Sequence, residues 1–161
     1  MKKLAVLCLL VGFAVLGGGR AVADGPDALA DGPDRKKLEK EFAEKLSGSK
    51  LVGYWNLWGK EKDVKEDAYT IDSVTKLDKP DLWRFVARIE FGKVDVKVPI
   101  NVQVKWAGDT PVITVDKVGI PGVGTYSARL LIQGDRYAAT WDGGDHGGYM
   151  WGKVEKIKKK E

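Results

Sequence analysis

Beyond Ser49 the chain alternates apolar and polar residues with period two, the spacing that puts every second side chain on one face of a β-strand. The clearest stretch sets Trp83, Phe85, Ala87, Ile89 and Phe91 on one face and Arg84, Val86, Arg88 and Glu90 on the other. Gly92-Lys93 follows, and Val94, Val96 and Val98 then alternate with Asp95 and Lys97, so the pattern predicts a hairpin with one face inward and one wet. The same parity continues through Ile100, Val102, Val104 and Trp106. Pro99 falls at an outward position that marks a bulge or an edge, and one bent strand or two short ones satisfy the segment. Strands are expected over residues 50–59, 68–76, 82–91, 94–106, 112–118, 125–133, 136–141 and 149–157. Short links such as Gly92-Lys93 and Gly134-Asp135 make sequence neighbours spatial neighbours, which favours a meander over Greek-key crossing. Closure removes the edges that so many strands would otherwise expose. The expected fold is all-β: an antiparallel up-and-down barrel of about eight strands, preceded by a short helix.

That helix is predicted over residues 35–47, where Leu38, Phe42 and Leu46 recur every fourth position among Lys and Glu. Pro33 and Asp34 suit its start and Gly48 its end. A single stripe on so short a helix does not persist alone, so it is expected to pack on the body as a lid or plug. Ahead of it, Ala23-Asp24-Gly25-Pro26-Asp27 recurs as Ala30-Asp31-Gly32-Pro33-Asp34, and residues 24–34 read as a flexible leader with almost nothing apolar to bury.

The first 23 residues carry the marks of a secretory signal peptide. Lys2 and Lys3 precede an apolar run from Leu4 to Leu16, and Ala21-Val22-Ala23 offers a small-x-small cleavage site. The run is too short for a membrane span, so cleavage after Ala23 leaves a secreted or periplasmic protein with no span. Cleavage also takes three of the 27 basic residues and no acid, leaving 24 against 23, so the mature chain is nearly neutral. The one basic cluster, Lys153 to Lys160, reads as a solvated end, and no nucleic-acid partner is expected. The sole cysteine, Cys8, lies in the signal segment, with Leu7 a poor match to the small residue that precedes a lipidated cysteine. Disulfides, thiolate catalysis and Cys-ligated metals are therefore excluded from the mature protein. The 161 residues suit one domain, here residues 35–161.

Gly53-Tyr54-Trp55 stands on the first expected strand just after the short helix, and in this it resembles the G-x-W signature of the lipocalins and their calycin relatives. Asp135-Arg136-Tyr137, in the turn between the sixth and seventh strands, is similar to the family's T-D-Y element, with Gly134 in place of threonine. The resemblance implies a calycin-like barrel over about residues 48–157, with Trp55 closing its floor. It also implies a cation on the last strand packed over that tryptophan, where this chain offers only Lys153 or Lys156. The avidin relatives are a second comparison, through Trp55-Asn56 and the later tryptophans, but no residue set here carries a ligand over.

Six tryptophans, at positions 55, 58, 83, 106, 141 and 151, are the most unusual feature of the composition. Flat apolar rings either fill a core or line a cavity and stack on ligands. Trp83 and Trp106 lie on long apolar faces and read as core, whereas Trp58, Trp141 and Trp151 lie near strand ends and suit a mouth or rim. The ligand-lining set expected of a hollow barrel is Trp55, Trp58, Trp83, Phe85, Tyr126, Trp141, Tyr149 and Trp151. Asp142, Asp145 and His146 could ligate an ion or form an acid/base pair. The four glycines among them, Gly143, Gly144, Gly147 and Gly148, fit a plain turn better, and a single histidine makes zinc a poor match. Gly119-Ile120-Pro121-Gly122-Val123-Gly124 reads as a hairpin loop or lid. One histidine, four mature serines and no phosphate loop supply little for catalysis, so no enzyme and no cofactor are expected. The function expected is a lipocalin-like protein binding a small apolar or aromatic ligand in the barrel. The alternatives are a filled structural or interaction module, or a carbohydrate-binding module using Trp58, Trp141 and Trp151.

Overall fold

A computed structural model describes residues 33–91 and 94–158 of the chain. The expected signal peptide, residues 24–32 of the expected leader and the Gly92-Lys93 link lie outside those residues. Helix α1 (Pro33–Leu46) leads into β1 (Ser49–Leu57), β2 (Lys65–Lys76), β3 (Leu82–Phe91), β4 (Val94–Ala107), β5 (Thr110–Ile120), β6 (Gly124–Gln133), β7 (Arg136–Asp142) and β8 (Gly147–Lys156). The strands pair in chain order, all antiparallel, and β8 returns to β1, so the sheet is a closed up-and-down barrel. Among the described residues no helix is long and apolar enough to cross a membrane.

The helix is a plug in one end of that barrel. Pro33 opens it, a position where the missing N–H costs no hydrogen bond, and Gly48 at φ 62° turns the chain out of it. Of the predicted stripe, Phe42 and Leu46 are buried in the core and Leu38 is half-buried. Phe42 meets Trp83, Phe85 and Trp106 edge-on at centroid distances of 5.1, 6.1 and 5.7 Å. Arg35 sits over the opposite end of this cluster, 5.1 Å from the Trp106 ring. Lys156 Nζ donates to the carbonyls of Glu44 and Ser47 at 2.5 and 2.6 Å, placing a cation at the negative end of the helix dipole.

A bulge in β2 between Ile71 and Ser73 is stitched to the same helix end. The Gly48 N–H donates to the Asp72 carbonyl and the Val74 N–H to Ser47 Oγ, so the groups freed by the bulge find partners. Ser49, fully buried, donates its hydroxyl to the Leu46 carbonyl. β4 is one continuous strand of 14 residues. Its ladder with β5 runs only from Gln103–Thr114 to Ala107–Thr110, near the helix end. Beyond that, β4 pairs with β3 and β5 with β6. Pro99 lies in this one-sided stretch, exposed and opposite Val86, which makes it an edge position and not a bulge. The second bulge is in β5 between Val115 and Val118, where Lys117 takes φ 47°.

The Phe42→Ala variant would leave a void among three large rings, a loss of about 3–5 kcal/mol. Urea unfolding followed by tryptophan fluorescence should show the midpoint fall accordingly, whereas Lys37→Ala on the exposed helix face should leave it unchanged.

Candidate functional site

The barrel's remaining end, opposite α1, is where the interior holds its polar and aromatic groups together. It is built by the far half of β1 and the starts of β2, β6 and β8 with the end of β7, and the seam leading to it begins at Tyr137, near the start of β7. In register, Tyr137 of β7 faces Gly152 of β8, which faces Gly53 of β1, which faces Asp67 of β2. The Tyr137 ring occupies the room that two side chains would have taken. A β-carbon on Gly53 would lie 2.6 Å from the Tyr137 hydroxyl and 2.1 Å from the Trp151 carbonyl oxygen; one on Gly152 would lie 2.9 Å from the Tyr137 ring and 2.2 Å from the Val52 carbonyl oxygen. Neither backbone oxygen can move aside, so both positions require glycine. Two rungs farther along, Trp141 of β7 faces Gly148 of β8, and its indole nitrogen lies 3.0 Å from where a Gly148 β-carbon would be.

Asp67 is the carboxylate of this interior, and Tyr69, next on the same face of β2, donates its hydroxyl to it. Burial, then the negative charge of Asp67 and that hydrogen bond, hold the Tyr69 phenol far above its ordinary range. Burial and the same charge push Tyr137 up to about 12. Lys65, at the start of β2, lies 5.2 Å from the Trp55 ring centroid. Trp55 meets Trp141 edge-on at 5.9 Å, and Trp141 in turn touches Tyr126 at 6.1 Å and His146 at 5.4 Å. The Trp141 indole N–H is buried and has no hydrogen-bond acceptor among the described residues. A buried donor in that condition costs about 1–3 kcal/mol unless a water or ligand supplies the acceptor. The Trp83 indole N–H, under the plug, is likewise unpaired.

The loop from Asp142 to His146 closes this end as a tight turn. Asp142 accepts from the Gly144 N–H at 2.6 Å, the Gly143 N–H donates to the His146 carbonyl, and Gly144 takes φ 96°. His146 Nδ1 lies 2.5 Å from Asp145 Oδ1, and this contact holds the Asp145 carboxyl below its usual range. Among the described residues no three His, Cys, Asp or Glu side chains gather as a metal site.

The expected ligand-lining residues fall into three separate places. Trp55, Tyr126 and Trp141 converge at the end opposite the plug. Trp83 and Phe85 are buried beneath Phe42 at the other end. Trp58, Tyr149 and Trp151 stand exposed on the outer wall, so Trp58, Trp141 and Trp151 do not form one platform. Trp55 lies at the end away from the helix, and the cation over its ring is Lys65 of β2, not one from the last strand. Lys153 lies exposed on the outer wall, and Lys156 is spent on the helix terminus. Asp67, Tyr69, Lys65 and Tyr137 were not foreseen as site residues. Their signal was present, since the inward parity of Ile71 runs back through Tyr69 and Asp67 to Lys65, but β2 was expected to begin only at residue 68.

The closed antiparallel barrel is consistent with a calycin-like fold. No family model matches the chain, and no curated protein and no solved structure matches it either.

Tyr69 and Tyr137 should stay protonated at pH 11 in the folded protein. Absorbance at 295 nm should therefore show about two fewer tyrosinates in native than in guanidinium-unfolded protein at that pH. Because both phenols are raised by folding, their contribution to stability is complete below pH 10 and declines as pH rises toward 12. A full tyrosinate count in the native protein at pH 11 would contradict the buried cluster.

Proposed function

We propose that this chain is an exported, non-catalytic binding protein that seats a small ring-bearing ligand at the barrel end opposite α1. The observation that carries this reading is the buried indole N–H of Trp141, beside Gly148 and with no acceptor among the described residues, on a ring that contacts Trp55, Tyr126 and His146. Aromatic faces supply the apolar surface that a flat ligand needs, and one unsatisfied donor fixes its orientation. The ligand class that fits is an apolar or aromatic molecule bearing a single hydrogen-bond acceptor, with Lys65 and Asp67 beside it as the charged groups of the rim. The helix end has no part in this, because Phe42, Trp83 and Phe85 are packed against one another there.

That packing also favours a second reading, an interaction module whose barrel is filled throughout and whose surface does the work. One titration separates the two. Tryptophan fluorescence of the purified protein should change saturably with at least one member of a panel of small aromatics, hydrophobic dyes, fatty acids and isoprenoids. Trp141→Phe, which keeps the ring and loses the N–H, should weaken that binding about 5- to 10-fold, the worth of roughly one hydrogen bond. No saturable change with any compound would overturn the pocket reading. Export is tested separately: intact mass of the protein recovered from outside the cytoplasm should correspond to a chain beginning at Asp24, and an unprocessed precursor would refute it.

A further inference from the structure

A second feature lies on the outside of the barrel. Tyr54 and Trp58 of the β1 side and Tyr149 and Trp151 of β8 are 43, 47, 44 and 37% exposed, four large rings on one patch of wall. Such a patch on a water-facing β-surface marks a contact site. The rings are held in place. Tyr54 faces Trp151 across the ladder at 6.2 Å, their planes inclined by only 34°, and Trp58 meets Tyr149 at 6.5 Å. The Trp58 ring also rests on Gly147, where a β-carbon would come within 2.4 Å of it.

Beside Tyr54 and Trp151 the wall sinks into an open groove of about 920 Å³. Val52, Gly53, Ala68 and Gly152 give it a low floor, where Asp67 and Tyr137 also reach it, and Glu66, Arg136, Lys153 and Glu155 stand round it. Two acids and two bases thus stand at the rim, and Asp67, whose carboxylate takes the Tyr69 hydroxyl, adds a third acid to the lining. Glu66, Lys153 and Glu155 are exposed and make no ion pair among the described residues, so donors and acceptors are both free to serve a ligand. Arg136 is paired with its neighbour Asp135, at 3.4 Å.

We infer that this outer-wall groove, with its row of exposed rings, binds a neutral polysaccharide chain. The occupant follows from what the wall can and cannot offer. β1 is hydrogen-bonded to β8 and β2 along its length, so an extended peptide would find no free strand edge to join. A polyanion would meet three carboxylates against two cations. A sugar chain needs what is here: flat rings for the C–H faces of its pyranoses, and acids and bases side by side for hydroxyls that both donate and accept.

Affinity electrophoresis tests this with the full mature protein in gels containing hydroxyethylcellulose, glucomannan or arabinoxylan, with alginate as the anionic control. Migration should be retarded in at least one neutral gel and not specifically in alginate. Trp151→Ala and, separately, Trp58→Ala should each weaken that retardation by about tenfold or more, as truncation of a central aromatic contact does. Trp141→Phe, at the mouth, should leave it unchanged, so failure here and failure of the mouth reading are distinguishable. Near-ultraviolet circular dichroism establishes that each variant is folded, and two independent exposed positions guard against one that is not. Absence of retardation in every neutral gel, retardation in alginate alone, or sedimentation showing that the rings serve instead to join two copies of the chain would overturn the inference.

Discussion

The barrel depends on large β7 side chains lying across glycines of β8 and β1. Tyr137 covers Gly152 and Gly53, and Trp141 covers Gly148. Glycine in a strand interior is costly by itself, because it gives up backbone freedom and offers no side chain to pack. An aromatic ring laid over it returns the lost contact and lets strands β7, β8 and β1 approach where branched residues would collide. The seam between the last strand and the first is made in this way, so the same rings that fill the interior also allow the sheet to close.

Two different interiors result. Under α1 the space is filled by Phe42, Leu46, Trp83, Phe85, Val102 and Val104, an ordinary apolar core in which exchange of one ring for a smaller group leaves a void. Toward the other end the interior becomes polar as well as aromatic, with Asp67 shared among tyrosines and Lys65 lying over Trp55. A carboxylate kept partly inside a barrel needs a donor, and Tyr69 supplies it. This polarity has no evident part in closing the sheet, which is why the proposed binding site is placed there and not beneath the helix.

The resemblance to the G-x-W and T-D-Y elements acquires a physical content that differs from the one expected. Gly53 and Tyr137 are in contact because the tyrosine needs the glycine's empty space. Trp55, two residues beyond Gly53, is turned to the opposite end of the barrel from the helix and takes its cation from β2. The two short patterns therefore belong to one packing unit, and their presence shows how this seam is built without showing what the protein binds.

Period-two alternation was enough to place eight strands in a meander, because a sheet with one greasy and one wet face writes its parity directly into the residues. It also placed the helix, whose stripe has a different period, and pointed to Pro99 as an irregular position. Parity could say that Trp58, Tyr149 and Trp151 are not on the same face as Trp141 only once the register was known, and register is a property of paired strands. Which residues meet across the barrel was decided by closure: β8 returning to β1 set Tyr137 over Gly53, Asp67 beside both, and four exposed rings together on the outer wall. The local pattern determined what each strand shows to each side, whereas only the closed sheet, joining residues about a hundred positions apart, determined which of them share a site.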